Sequence, residues 1–209
     1  MRQQQISHID LMNHAVVPSQ NRSRMSPQER QSQLLTVAIT VYARMGVERA
    51  GHGDVAKLAG VSTATVFNYF PTREALTTAV LRAVKSHIEE VFKSALNTKT
   101  GRPKVLALAA AFNTMIGNHA DIIKVLLNWS VSFGADTRPS FLEFQEDLLN
   151  LLHDAMTDQT RDGHQGERAD ARIVLGAAMA LAMMKLDNSP PETVAKFINR
   201  VVHIIDDTE

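Results

Sequence analysis

The stretch Val61 to Pro71, VSTATVFNYFP, most constrains how this chain of 209 residues can fold. Its β-branched and aromatic residues are the types enriched in strands. The segments on both sides instead repeat apolar residues every three or four positions, as amphipathic helices do. A single strand in an otherwise helical chain would have no partner strand. The chain is therefore predicted to be all-α, with this stretch as a short helix.

Clear start and stop signals surround the stretch. Ser26-Pro27-Gln28-Glu29 forms a capping box with a first-turn proline, and Gly46 ends the helix that it opens. The buried face of that helix is predicted to contain Leu35, Ala38, Tyr42 and Met45. A short helix is predicted from Asp54 to Ala59, with Gly60 after it, and Thr72 is predicted to cap a long helix that fades near Asn97. Five further helices follow, roughly at Lys104–Gly117, Asp121–Phe133, Pro139–Thr160, Ala169–Leu186 and Pro191–Asp206.

As a helix, the opening stretch has two different faces. Ser62 can cap it and Pro71 ends it, since the residue before a proline avoids the α region. Val66 and Phe70 lie about 40° apart and can face the core. The opposite face is small and able to form hydrogen bonds: Ser62, Thr63, Ala64, Thr65 and Asn68. Asn can pair with adenine and short side chains fit the major groove, so this face suits DNA. A surface helix with an arbitrary polar face is the alternative.

The charge distribution supports a nucleic-acid partner for the N-terminal part. The chain has no net charge, but residues 21–104 hold 13 Lys and Arg against 6 Asp and Glu, a net charge of +7. Residues 105–209 hold 8 against 15, a net charge of −7. Such asymmetry is typical of a basic, nucleic-acid-facing part followed by a part with another task. Chance segregation is the alternative.

The segment Gly53 to Leu76, GDVAKLAGVSTATVFNYFPTREAL, resembles the DNA-binding signature of the TetR family of bacterial transcription regulators. The matching elements are an A-x-x-A-G-V-S turn at Ala56 to Ser62, a helix that ends in a Y-x-Y/H-F pattern at Phe67 to Phe70, and the pair Arg73-Glu74 before Leu76. A short helix, a glycine turn and a second helix are also the proportions of a helix-turn-helix. Within the family, GHGDVA, VSTATVFNYFPTRE and NWSVS resemble the quorum-sensing master regulators of vibrios.

The resemblance implies a dimer that binds a palindromic DNA operator. It assigns base contacts to the residues of the outward face, Ser62, Thr63, Ala64, Thr65 and Asn68, and phosphate contacts to Tyr69, Thr72 and Arg73. It also implies that Arg22 and Arg24 reach the minor groove from an N-terminal arm. A disordered basic tail is the alternative for these two arginines.

The domain organisation expected from these features has three parts. Residues 1–21 form a flexible tail, residues 22–72 a three-helix helix-turn-helix DNA-binding domain, and residues 73–209 a helical domain for ligand binding and dimerisation. Small residues such as Gly176 and Ala180 suit close packing of the last two helices in a dimer. Candidate walls of a pocket for a small apolar ligand are Phe92, Leu126, Trp129, Phe133, Phe144 and Gln145, although plain core is the alternative for all of them.

Other classes of function find little support. The eight histidines show no HExxH pattern or metal spacing, there is no cysteine, and no GxSxG nucleophile motif is present. No catalytic residue, metal site or cofactor is therefore predicted. The longest apolar run in the C-terminal half, Ile173 to Met184, is too short to span a membrane, and a cytoplasmic protein is expected. A helical protein-interaction module without DNA binding remains the alternative.

Overall fold

The computed structural model describes residues 25–96, 103–157 and 168–206. Within these ranges the chain is built from α-helices and contains no strand, which confirms the predicted fold class. The predicted tail, residues 1–21, lies outside the described residues. The helices are α1 Pro27–Met45, α2 His52–Ala59, α3 Thr63–Tyr69, α4 Arg73–Leu96, α5 Pro103–Asn118, α6 Ala120–Ser130, α7 Arg138–Thr157, α8 Arg168–Leu186 and α9 Pro191–Asp206.

Helix α1 begins at the predicted capping box. The Ser26 hydroxyl accepts a hydrogen bond from the Glu29 amide, and the Glu29 carboxylate accepts one from the Ser26 amide at 2.7 Å. The fully buried face contains Leu34 and Val41 beside the predicted Ala38 and Tyr42. The predicted Leu35 and Met45 are only half-buried. The prediction was incomplete because α1 contacts α2 and α4 as well as α6, so its buried surface is wider than one stripe.

Helices α2 and α3 form the predicted helix-turn-helix. Helix α2 starts at His52, two residues before the predicted Asp54, because the Asp54 carboxylate accepts a hydrogen bond from the Gly51 amide and so caps an earlier turn. Gly60 ends α2 with a left-handed φ of 67°, a conformation that glycine adopts without strain. The Ser62 hydroxyl then accepts a hydrogen bond from the Thr65 amide at 3.1 Å and opens α3. The strand-prone stretch is therefore a capped helix.

Helix α4 belongs to both parts of the molecule. Its first half buries Leu76 and Val80, and its second half buries Ile88 and Phe92 among the C-terminal helices. Around it, α1 packs against α6, α5 packs against α4 and α8, and α8 packs against α7 and α9. The largest buried side chain is Trp129 of α6. The two parts thus share one hydrophobic core.

Helix α6 ends at Ser130, three residues before the predicted end at Phe133. The Trp129 indole donates a hydrogen bond to the Thr137 carbonyl at 3.0 Å, and the Ser132 amide donates one to the Trp129 carbonyl. These contacts fold residues 131–137 into a loop before α7. Sequence periodicity could not show this ending because the atoms that cause it come from beyond the helix.

Helix α8 contains the apolar run that starts at Ile173. The side chains of Ile173 and Met183 remain about half-exposed, whereas Leu175 and Leu181 are buried against the neighbouring helices. In the part of the chain that the structure describes, no helix is both long enough and apolar enough to cross a membrane. One side of the apolar run therefore packs in the core, and its other side leaves apolar surface exposed to solvent.

Candidate nucleic-acid interface and apolar cavity

Helix α3 presents the small polar face that the sequence predicts. Ser62, Thr63, Ala64 and Asn68 are exposed, and Thr65 is half-buried. On the opposite side Val66 is fully buried and Phe70 is 3% exposed. Five of the predicted DNA-contacting residues therefore lie together on one short helix whose other face is fixed in the core.

His52 anchors this helix from α2. Its ring is 6% exposed, and its Nε2 lies 2.6 Å from the Phe70 carbonyl oxygen at the end of α3. Since a carbonyl can only accept, Nε2 carries the proton and donates it. The same ring stacks on Phe67 of α3, with centroids 3.9 Å apart and planes 8° from parallel. The otherwise exposed Phe67 is thus held by His52.

Sequence reasoning missed this role of His52. The histidine spacing was considered only as a possible metal or catalytic pattern, which it does not match. A usable signal was the spacing of His52 to Val55 and Ala56, three and four residues later, which places all three on one helix face. All three are buried in the structure.

The three residues predicted to contact phosphates lie at the end of α3 and at the start of α4, and two of them also have structural roles. Tyr69 is half-buried against the core. The Thr72 hydroxyl accepts a hydrogen bond from the Ala75 amide at 3.1 Å, which confirms it as the cap of α4. The Arg73 guanidinium donates to the carbonyls of Ala50, at 3.2 Å, and Glu48. Their phosphate contacts remain predictions.

The remaining predicted DNA contacts, Arg22 and Arg24, lie outside the described residues. Near the C-terminal end of α1, a hydrogen bond of 2.8 Å between the Tyr42 and Thr77 hydroxyls joins this helix to α4. Burial raises the pKa of the Tyr42 phenol, so this hydroxyl stays protonated at neutral pH. Helix α1 therefore supports the start of α4, next to the helix-turn-helix.

An apolar cavity of about 70 Å³ lies beneath α9, between α4 and the other C-terminal helices. Two of the predicted pocket residues, Phe92 and Leu126, line it. The other aromatic side chains that line the cavity, Phe112 and Phe197, were not predicted from the sequence. Helix α9 gave a signal for Phe197, since Val194, Phe197, Ile198 and Val201 recur at helical spacing on its inner side.

The other four predicted pocket residues lie elsewhere. Trp129 and Phe144 stack on each other in the core, with ring centroids 5.5 Å apart. Gln145 lines a separate groove with Ser130. Phe133 is 79% exposed in the loop after α6, where its ring contacts the Arg138 guanidinium. Phe133 lies outside the cavity because α6 ends before reaching it.

Metal binding finds no support in the residues that the structure describes. Among them, no group of three or more His, Asp or Glu side chains is placed to hold an ion. His87 and His119 are close, with ring centroids 4.4 Å apart, but they form only a pair. Burial and the neighbouring His119 ring lower the pKa of His87.

Comparisons with known proteins agree with this geometry. Residues 34–80 match the family model described as bacterial regulatory proteins, tetR family. The HTH-type transcriptional regulator LuxR of Vibrio harveyi is 36% identical over 126 residues, which are 58% of this chain and 60% of LuxR. The match thus spans about three fifths of that relative's length. The fatty acid metabolism regulator protein of Bacillus subtilis (strain 168) is 24% identical over 143 residues, 68% of this chain and 73% of that protein.

Solved structures show the same fold. The FadR regulator from Bacillus subtilis in complex with stearoyl-CoA superposes with a TM-score of 0.68 at 18% identity, over 85% of this chain and 98% of that chain. A TetR-like transcriptional regulator from Rhodococcus sp. RHA1 superposes with a TM-score of 0.74 at 18% identity, over 87% and 96%. Residues 34–80, which contain the helix-turn-helix, thus match the tetR family model, and the chain shares its fold with these two regulators.

Proposed function

We propose that this chain, whose N-terminal domain is of the tetR family, is a homodimeric transcription regulator that reads a palindromic operator with α3. One observation carries the proposal. A helix of seven residues exposes short polar side chains on one face, while Val66, Phe70 and the His52 contact fix its other face. A rigid helix with a small outer surface can enter the major groove, where Asn68 can pair with adenine.

The charge of the N-terminal part supports this function. The excess of Lys and Arg in residues 21–104, 13 against 6 acidic residues, favours association with the phosphate backbone. Thr72 and Arg73, at the start of α4, are proposed to contact phosphates, because the N-terminus of a helix attracts anions. Arg22 and Arg24 are proposed to enter the adjacent minor groove.

The proposed dimer uses α8 and α9. Ile173 and Met183 on α8 are about half-exposed, and a Cβ atom added to Gly176 would meet no atom within 4 Å. A second copy could therefore approach α8 closely and cover this apolar surface, as in a four-helix bundle. Two recognition helices held about 34 Å apart would then enter successive major grooves of a palindrome.

A small apolar ligand is proposed to regulate the dimer. The cavity that contains Phe92 and Leu126 is almost wholly apolar, but at about 70 Å³ it is far smaller than the roughly 300–1,000 Å³ of ordinary ligand pockets. Binding would therefore require α9 to move outward. The stearoyl-CoA complex of the similarly folded FadR supports an acyl-chain ligand. The identity to LuxR supports a role in quorum sensing inside the bacterial cytoplasm, where the operator DNA lies.

The test is selection of operator DNA from a random pool by the purified protein, followed by fluorescence anisotropy titrations. Asn68→Ala should weaken binding to the selected operator by roughly 10-fold, since one lost base contact costs about 1–3 kcal/mol. Binding to unrelated DNA should change little. Asn150→Ala, which removes an exposed Asn of α7, is the matched control and should bind as the parent does.

Two outcomes would contradict the proposal. If no sequence is enriched, the chain is better described as a helical interaction module without DNA binding. If Asn68→Ala binds the operator as tightly as the parent, α3 does not read bases. Light scattering should give the mass of a dimer, about twice 23.1 kDa, and a monomer would refute the proposed assembly.

A further inference from the structure

A polar cluster of the exposed Glu48 and two buried hydroxyl groups joins the DNA-binding part of the molecule to the C-terminal helices. Glu48 lies in the turn between α1 and α2, called here the α1–α2 turn (residues 46–51). Ser132 and Thr137 lie in the α6–α7 loop (residues 131–137). The Glu48 Oε1 atom accepts hydrogen bonds from the Ser132 hydroxyl and, at 3.1 Å, from the Thr137 hydroxyl. Ser132 and Thr137 are 6% and 7% exposed, although polar residues of this type are mostly exposed.

The shape of the α6–α7 loop fits this carboxylate closely. A Cβ atom added to Gly134 would lie 2.5 Å from Glu48 Oε1 and 2.9 Å from the Thr137 hydroxyl oxygen. Only glycine leaves room for this approach. Hydrogen bonds from Ser132 and Thr137, with a further one from the Gly134 backbone, lower the pKa of Glu48. The carboxylate is therefore the form that the loop accommodates.

Each side of the Glu48 cluster leads to a different part of the molecule. On the regulatory side, Trp129 of α6 donates its indole hydrogen to the Thr137 carbonyl, one turn after Leu126 lines the apolar cavity. On the DNA side, the Glu48 carbonyl accepts from Arg73 at the start of α4. The α1–α2 turn then leads directly into α2 and the His52 anchor of α3. A contiguous set of contacts thus runs from the cavity wall to α3.

We propose that Glu48 is a positioning residue for operator binding, which fixes the α1–α2 turn to the α6–α7 loop and so sets the orientation of α2 and α3. This inference rests on the proposed function. A dimer must present both recognition helices at one spacing to match two half-sites. Loss of the carboxylate contact would leave the turn attached to α4 through Arg73 but no longer to the α6–α7 loop. The fraction of dimers that hold both recognition helices at the right spacing would then fall.

The experiment measures operator affinity by fluorescence anisotropy for Glu48→Ala, for the pair Ser132→Ala with Thr137→Val, and for all three changes together. Each set should weaken operator binding by about tenfold, since hydrogen bonds to a charged group are worth more than neutral ones. The triple variant should bind the operator no more weakly than Glu48→Ala or the Ser132/Thr137 double variant, because both sets of changes break the same contact. Loss of a negative charge alone would strengthen binding to phosphates, so a weakening cannot be an electrostatic effect.

Two controls separate positioning from general damage. Glu48→Gln keeps an acceptor oxygen but forms only neutral hydrogen bonds, so it should lose less affinity than Glu48→Ala. Asp136→Asn removes an exposed charge of the same loop and should behave as the parent. Hydrogen exchange without DNA should become faster in residues 46–51 of the Glu48→Ala protein, while the Tm changes little.

The outcomes distinguish this inference from the proposed function. If the parent selects and binds an operator but Glu48→Ala binds it equally well or more tightly, Glu48 has no positioning role. Additive losses in the triple variant, or unchanged hydrogen exchange in residues 46–51, would also overturn the inference. If the parent binds no operator, the proposed function fails, and with it the role assigned to Glu48.

Discussion

Replacement of His52 by alanine should both destabilise the protein and weaken operator binding. The substitution removes the hydrogen bond of 2.6 Å from Nε2 to the Phe70 carbonyl, a contact in the buried interior that is worth about 1 kcal/mol. It also removes the stack on Phe67, worth about another 1 kcal/mol beyond the area that it buries. The free energy of unfolding should therefore fall by about 2 kcal/mol.

For a chain of 209 residues, a loss of this size lowers the Tm by about 4–8 °C, since each kcal/mol shifts it by about 2–4 °C. Calorimetry and operator titration of the same samples are the assay. Binding at a temperature well below the transition should still be weakened, because the end of α3 loses its attachment to α2.

Two matched variants divide the effect of His52 into its parts. His52→Phe keeps a ring over Phe67 but has no donor for the Phe70 carbonyl, so it should lose about half of the stability that His52→Ala loses. Phe67→Ala removes only the stack. Combined with His52→Ala, it should cost less than the two single changes together. A Tm within about 1 °C of the parent for His52→Ala would refute the anchoring role.

Three other changes have definite expected outcomes. Arg22→Ala combined with Arg24→Ala should reduce the slope of log affinity against log salt by about 2, measured by operator titration at several salt concentrations; an unchanged slope would place these arginines off the DNA. Burial and the neighbouring His119 ring lower the pKa of His87 below 6.5, so the folded state binds fewer protons and stability should rise as the pH increases toward that value. His87→Gln should flatten the dependence of Tm on pH over this range. An equally steep profile in the variant would show that His87 is not the cause of the pH dependence. Ala109→Phe fills the apolar cavity, so decanoic acid should raise the Tm of the parent but not of this variant; an equal shift in both would place the fatty acid elsewhere.

The local features of the N-terminal part could be predicted well because their causes are local. The capping of α1 by Ser26 and of α3 by Ser62 depends on atoms within three residues, which the sequence places side by side. The inward positions of Val66 and Phe70 follow from helical spacing between two stop signals. The fold class followed from the same signals, since an isolated strand has no partner.

Features caused by distant contacts could not be predicted in this way. The end of α6 depends on a hydrogen bond from Trp129 to Thr137, and the role of His52 depends on a carbonyl eighteen residues away. Phe92 and Phe144 look alike in sequence, as inward aromatic residues of long helices. Only the packing shows that Phe92 lines the cavity and Phe144 stacks in solid core.

The sharing of α4 between both parts of the molecule limits how chains with this fold can exchange domains. Because one continuous helix buries Leu76 in the first part and Phe92 in the second, a recombination event within it must preserve helical phase. Insertion of a single residue would turn one half relative to the other by about 100°, whereas seven residues would restore the phase to within about 20°. Functional hybrids that join the N-terminal part of one such protein to the C-terminal part of another should therefore differ in α4 length by whole helical turns. The phase of α4 thus restricts which domain fusions can persist in evolution.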